Sequence, residues 1–295
     1  MSIKFNQGKL YGWGIGISIL TIAILLIFPS TGFAIAKLEI GQAIQGKYIV
    51  VLDRNASAGN ASQVAKDHSL GIRHSYSFAF SGFSAAVPAG RLNALRNDPR
   101  VLSVTQDYVM GIAAPPCGTP RGGPCPTEEP TPDPTEEPTP DPTEEPTPDP
   151  GGSQVIPTGV LRINANLSST LAGNGSGSVN VDVAVLDTGV DIDHPDLNVV
   201  GGFNCTGGQS SKYNDGHGHG THVSGTIGAI DNGSGVVGVA PGARIWGIKV
   251  LNNGGLGSLS EIICGIDWVT ANASTIEVAN MSLGGRGSDD GLSCA

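Results

Sequence analysis

Val183-Ala-Val-Leu-Asp-Thr-Gly189 constrains this chain more than any other stretch. A short apolar run that ends in an acid and a Gly turn reads as a buried strand delivering a carboxylate to the carboxyl edge of a sheet. Downstream comes Asn214-Asp-Gly-His-Gly-His-Gly-Thr-His-Val-Ser-Gly-Thr226, with histidines at 217, 219 and 222 spaced by glycines and small residues that can enter a helix. A carboxylate on a strand end and an imidazole at a helix start are the orienter and base of a nucleophilic hydrolase. The glycines let backbone and substrate approach the imidazole where a Cβ would clash. Two other readings stay open. His217, His219 and His222 could hold a metal, since imidazole is a common ligand. Asp187, Asp191, Asp193 and Asp196 could be a solvated acidic loop, a reading that Asp187, ending an apolar strand, fits least.

The same alternation continues. Residues 181–187 read as a strand, 219–230 as a helix, 243–251 as a strand and 276–282 as the next. Ser258-Leu-Ser-Glu261 reads as a capping box opening a helix that buries Leu259, Ile262, Ile263, Ile266 and Val269 on one face. Strand and helix in alternation predict an α/β fold with a doubly wound parallel sheet.

The net charge of −10 invites a search for a cationic partner. Most of it lies in one place. The octad Pro-Thr-Glu-Glu-Pro-Thr-Pro-Asp runs three times from Pro126 to Asp149, and each copy holds three acids and no base. The remainder of the chain is close to neutral. No basic face favours nucleic acid. Alternating Pro and acid over 111–153 forbids a packed core and predicts an extended, self-repelling linker. Cys117 and Cys125 stand close enough to close a small disulfide loop.

Ahead of the linker, residues 1–36 read as an export signal. Lys4 and Lys9 precede an apolar run over 13–28, and Ala34-Ile-Ala36 fits a cleavage site. Cleavage is favoured over a membrane anchor because the run is short for a full span. No stable membrane association then follows, and a secreted, disulfide-permissive location does. Residues 46–110 read as a small α+β unit: strands over 47–52, 78–87 and 101–108, helices over 60–68 and 91–97. The remaining cysteines, 205, 264 and 294, sit in no reactive setting.

Asp187-Thr-Gly, His219-Gly-Thr-His-Val-Ser-Gly-Thr-Ile and Asn280-Met-Ser-Leu-Gly-Gly285, in that order and spacing, resemble the subtilisin-like serine proteases, or subtilases. The resemblance makes Asp187 the orienter and His219 the general base, with His222 structural. It places extended polypeptide substrate against a Gly-rich edge at Gly255, Leu256 and Gly257 and a pocket wall at Ser282, Leu283 and Gly284. It implies a structural calcium ion held by side chains of Gln154, Asp196 and Asn232 and carbonyls of Ile230, Ser234 and Val236. Tyr48-Ile-Val-Val-Leu52 and Asp98-Pro-Arg-Val-Leu-Ser-Val-Thr-Gln-Asp107 resemble the family's inhibitor-type prodomain, a ferredoxin-like unit that caps the active site until it is cleaved. The catalytic part then begins at Gln154 and runs to 295. In the family the oxyanion Asn and the nucleophilic Ser lie further along. No Ser here matches the nucleophile motif: Ser282 is a pocket residue and Ser293 lies in an unmatched tail. The expectation is therefore the first part of a protease, inactive by itself. A non-catalytic alternative keeps the 46–110 unit as a protease-binding module.

Overall fold

The computed structural model of the protein describes residues 39–53, 60–112, 154–175 and 178–285. The expected export signal, the octads, Cys117, Cys125, Ser293 and Cys294 lie outside the described residues.

The N-terminal unit runs β1 (Ala43–Leu52), α1 (Asn60–Asp67), β2 (Ile72–Tyr76), β3 (Gly82–Ala86), α2 (Ala89–Arg96) and β4 (Val101–Ile112). Its strands are antiparallel and ordered β4-β1-β3-β2. Val50, Leu52, Val64, Phe83 and Leu95 form a core between the helices and the sheet. This is the expected ferredoxin-like α+β layer, with two corrections. The strand read over 78–87 is shorter, β3 over Gly82–Ala86, and the reading missed β2 at Ile72–Tyr76. Residues 77–79 cannot join the ladder because their amides are engaged elsewhere. Ser77, Phe78 and Ala79 donate to the Asp267 carboxylate at 3.0, 2.7 and 2.8 Å. Phe78 is 60% exposed. The last strand also continues past residue 108, so Gly111 and Ile112, assigned to the linker by sequence, belong to β4.

The C-terminal unit opens with α3 (Thr158–Arg162) and continues β5 (Asp182–Asp187), β6 (Asn198–Asn204), α4 (His219–Gly228), β7 (Arg244–Lys249), β8 (Leu256–Ser258), α5 (Leu259–Ala271), β9 (Val278–Asn280) and β10 (Leu283–Gly284). Four of these strands form a parallel sheet, ordered β6-β7-β5-β9. Every residue of β5 is buried, and its two faces look at different helices. Ala184 and Leu186 pack with Ile248 and Ile262 on the α5 side. Val183 and Val185 pack with Ile245, Val223 and Ile227 on the α4 side. Helices on both faces make the sheet doubly wound, as the unbroken apolar run predicts. Each large apolar side chain so buried contributes about 1.5–3 kcal/mol. The capping box forms: Glu261 N donates to Ser258 Oγ at 3.3 Å, and Ser258 N donates to Glu261 Oε2 at 2.8 Å. Cys205, just after β6, and Cys264 on α5 form a disulfide closing 59 residues, a pairing the sequence did not reveal. Constraining a loop of that size in the unfolded chain is worth about 4 kcal/mol. Among the described residues no helix is long and apolar enough to cross a membrane.

The two units meet where β2 and β4 lie against α5. Tyr76 Oη donates to Ser260 O at 3.0 Å, Asp107 accepts from Ser260 N and Oγ at 3.1 and 2.7 Å, and Arg73 pairs with Glu261. Ile49, Tyr76 and Ile263 seal the contact. His74 shares the Tyr76 face of β2, and its Nε2 is buried with no hydrogen-bond partner. Burial, and then Arg73, push its pKa down to about 4, against a smaller pull from Asp107. The folded state therefore resists a proton that the unfolded chain accepts near pH 6.5. Stability held above pH 6.5 is lost as pH falls toward 4. Thermal unfolding across that window is expected to show the loss, and His74→Phe is expected to flatten it. An unchanged slope in the variant would rule His74 out as its source.

Candidate active site

Asp187 ends β5 and is fully buried. Its Oδ1 accepts from Thr188 N at 2.7 Å and lies 2.8 Å from Nδ1 of His219, the first residue of α4. A carboxylate on Nδ1 fixes the ring and leaves Nε2 outward as the basic nitrogen. The close approach of strand and helix depends on glycine. A Cβ on Gly220 would run into Gly189 O and come within 3.1 Å of Asp187 Cβ. Gly189 makes the turn after the acid at φ +105°. Lys249, buried at the end of β7, donates to Thr188 O and to Asn253 Oδ1. Burial lowers its pKa, opposed by attraction to Asp215 and Asp187.

The expected substrate edges lie beside this pair, and the chain's own β4 fills the space between them. β4 pairs antiparallel with β8 through Val109–Ser258, Met110–Gly257 and Gly111–Leu256. Its other edge pairs antiparallel with β10 through Gly111–Gly284 and Ile112–Leu283. Ile112 N donates to Gly255 O at 3.1 Å. Five of the six residues named from sequence, Gly255, Leu256, Gly257, Leu283 and Gly284, thus bind or pair with an extended strand. Ser282 stands apart from the ladder and meets Asn280 Nδ2 through its hydroxyl at 3.0 Å. The strand heads toward the imidazole. Ile112 Cδ1 and His217 Nε2 lie 3.1 and 3.4 Å from the point where a Cβ on Gly255 would sit, and the His217 ring is 6.4 Å from that of His219.

The six candidate calcium residues gather in one place. Gln154 Nε2 donates to the carbonyls of Ile230 and Val236 at 2.6 and 3.0 Å, and Gln154 Oε1 accepts from Gly233 N at 3.1 Å. Asn232 Nδ2 donates to Asp196 Oδ1 at 2.9 Å, while its Oδ1 accepts from Ser234 N at 2.9 Å. Two carbonyls converging on one amide, with a carboxylate alongside, form an all-oxygen donor set once that amide turns its oxygen inward, which is the chemistry calcium prefers.

The histidine cluster does not assemble as a metal centre. Among the described residues no three His, Cys, Asp or Glu side chains gather to hold an ion. His219 is committed to Asp187, and His222 lies on the α4 face that carries Thr221, Gly225 and Thr226, lining a cavity of about 850 Å³ that includes neither Asp187 nor His219. Asp191 and Asp193 occupy a partly exposed loop; Asp191 N donates to Thr221 Oγ1 at 3.0 Å. Sequence reasoning passed over Thr188, Asp215 and Lys249. The signal for Asp215 was its place inside the histidine motif.

Residues 178–295 match the subtilase family, and residues 47–113 match peptidase inhibitor I9. Subtilisin DY of Bacillus licheniformis is 47% identical over 134 residues, covering 45% of this chain and 46% of that protein. Subtilisin E of Bacillus subtilis (strain 168) is 47% identical over 133 residues, covering 45% and 34%. Subtilisin Savinase of Lederbergia lenta is 47% identical over 132 residues, covering 45% and 46%. The matched part of the chain spans less than half the length of these curated relatives.

Proposed function

We propose, because residues 178–295 match the subtilase family and residues 47–113 match peptidase inhibitor I9, that the chain belongs to a subtilase, a serine-type endopeptidase precursor in which Asp187 orients His219 and His219 is the general base. The observation that carries this reading is the 2.8 Å contact between His219 Nδ1 and a fully buried carboxylate. Nε2 is then free to take the proton of a serine hydroxyl as it attacks a peptide carbonyl, and to return it to the leaving amine. Among the described residues no serine hydroxyl is hydrogen-bonded to His219. By the subtilase resemblance, the nucleophile and the oxyanion donors are expected in sequence other than these residues.

Substrate is extended polypeptide, bound by strand addition between β8 and β10. In the precursor the I9 unit is the first occupant, holding β4 in that groove and bracing it through Asp267, Glu261 and Ser260 of α5. The precursor is exported, and the acidic linker separates the inhibitor unit from the peptidase.

The test joins the 295 residues to the nucleophile-bearing part of Subtilisin E. The joined protein is expected to form a covalent adduct with a fluorophosphonate probe, and the 295-residue chain by itself is not. Absence of labelling in a folded joined protein would contradict the reading. Zinc-chelator-sensitive hydrolysis by the 295 residues alone would favour the metal reading of His217, His219 and His222.

A calcium ion at Gln154, Asp196, Ile230, Asn232, Ser234 and Val236 would tie the segment at Gln154 to the loop after α4. When bound it supplies only charge and cross-linking, and no chemical step. Calcium at a hundred times its dissociation constant is expected to stabilise the fold by about 2.7 kcal/mol. Melting with calcium and with a chelator measures this. Asp196→Asn is expected to remove most of the difference, and an equal difference in that variant would place any bound calcium elsewhere.

A further inference from the structure

Resting on the reading of His219 as the base, we propose that Asp215 is the positioning residue that latches the start of α4 to the turn after Asp187. Its carboxylate accepts five hydrogen bonds. Oδ1 takes Thr188 Oγ1 at 2.9 Å, His217 N at 2.8 Å and Gly218 N at 2.9 Å. Oδ2 takes Thr221 N at 3.0 Å and Thr221 Oγ1 at 2.7 Å. The backbone delivers it there, because Asp215 N donates to Val190 O at 3.1 Å and Val190 bridges to Asn214.

The need for such a group follows from the helix itself. The first amides of a helix have no internal partners, and a side chain at the residue before it normally satisfies one of them. Here that residue is Gly218, which has no side chain to offer. Asp215 supplies the missing acceptor for Thr221, the third residue of α4. Thr188 Oγ1, itself donating to Asp215, accepts from Gly220 N, the second residue, at 3.0 Å. Two free amides at the start of α4 are therefore tied, through one carboxylate and one hydroxyl, to the residue directly after Asp187. The His219 ring starts from this latched backbone, so its vector toward Asp187 is set by Asp215 as much as by Asp187. Anionic charge at this point also suits the positive end of the helix. Burial by itself would raise the Asp215 pKa; the Thr221 hydroxyl and the amides of Gly218, His217 and Thr221 outweigh it and hold the carboxyl ionised down to about pH 2.

Nuclear magnetic resonance of the 295-residue chain, with nitrogen-15 in histidine, tests this without any turnover. The His219 Nδ1–H proton, shared with a buried carboxylate, is expected to give a far-downfield signal protected from exchange. It disappears in Asp187→Asn, which assigns it. In Asp215→Asn, where the amide cannot accept on both sides, the signal is expected to be lost through exchange. In Thr221→Val, which removes one bond, it is expected to broaden. The signals of His68 and His74 in the N-terminal unit are expected to stay in place, showing that the fold persists. Retention of a sharp His219 signal in both Asp215→Asn and Thr221→Val would overturn the proposal. A peptidase assay that fails would count against the reading of function and leave this spectroscopic result standing.

Discussion

Replacing His219 by alanine in the joined, nucleophile-complete protein is expected to lower kcat by roughly a million-fold, with KM little changed. The argument starts from the dyad. Asp187 is sealed from water, and its Oδ1 is shared between the Thr188 amide and His219 Nδ1, the one side chain it meets. That leaves Nε2 as the group able to remove a proton from a serine hydroxyl, and without it the hydroxyl attacks at its own poor nucleophilicity. Asp187→Asn is expected to cost less, roughly ten-thousand-fold in kcat. An asparagine amide in that position donates to Nδ1, so the proton moves to Nε2 and the base points the wrong way. Steady-state hydrolysis of a peptide with a reporting leaving group gives both numbers. A loss below tenfold in His219→Ala would remove His219 from the chemistry.

The second large effect concerns where the precursor is cut. The length of the linker leaves every bond between the two units open when only the sequence is read. The register of β4 narrows it. A substrate strand pairs with both edges of the groove up to the residues before the scissile bond, and β4 does so through Ile112. Ile112 already reaches the Gly255–His217 corner, one ring from His219. An extended residue advances the chain about 3.3 Å, so the cut is expected a residue or two after Ile112. A cut there would leave the octads, which begin at Pro126, on the peptidase side. Hydrolysis adds water across that amide, giving the I9 unit a new carboxylate and the peptidase a new amine. Gly111 keeps the strand seated, since a Cβ there would press on Ile40 Cδ1 at 2.8 Å and Gly255 O at 3.0 Å. Gly111→Val is therefore expected to displace β4 and slow the cut by at least an order of magnitude.

How far the sequence leads depends on how local each feature is. The acid strand was legible because an apolar run ending in Asp187 can hardly be anything else. The α5 start was legible because Ser258 and Glu261 cap within one turn. That the six candidate calcium residues gather, and that the two Gly-containing edges pair with a strand, could be expected only through resemblance, since Gln154 and Val236 meet across 82 positions. The failures all involve partners that sequence spacing does not pair. Phe78 lies in a stretch that alternates like a strand, yet the amides around it go to Asp267, 189 positions away. Gly111 and Ile112 read as the start of a Pro-rich linker because nothing local shows that Leu256 and Leu283 will pair with them. Cys205 and Cys264 meet only once β6 and α5 are packed on one face of the sheet.

The central claim is that β4 lies in the groove as a substrate does, with Asp187 and His219 at its end. Intact-mass measurement of the fragments released when the joined precursor folds tests this most directly. The account predicts an N-terminal fragment ending within two residues of Ile112, absent in His219→Ala. A fragment ending instead near Gln154, or the same fragment in His219→Ala, would contradict it.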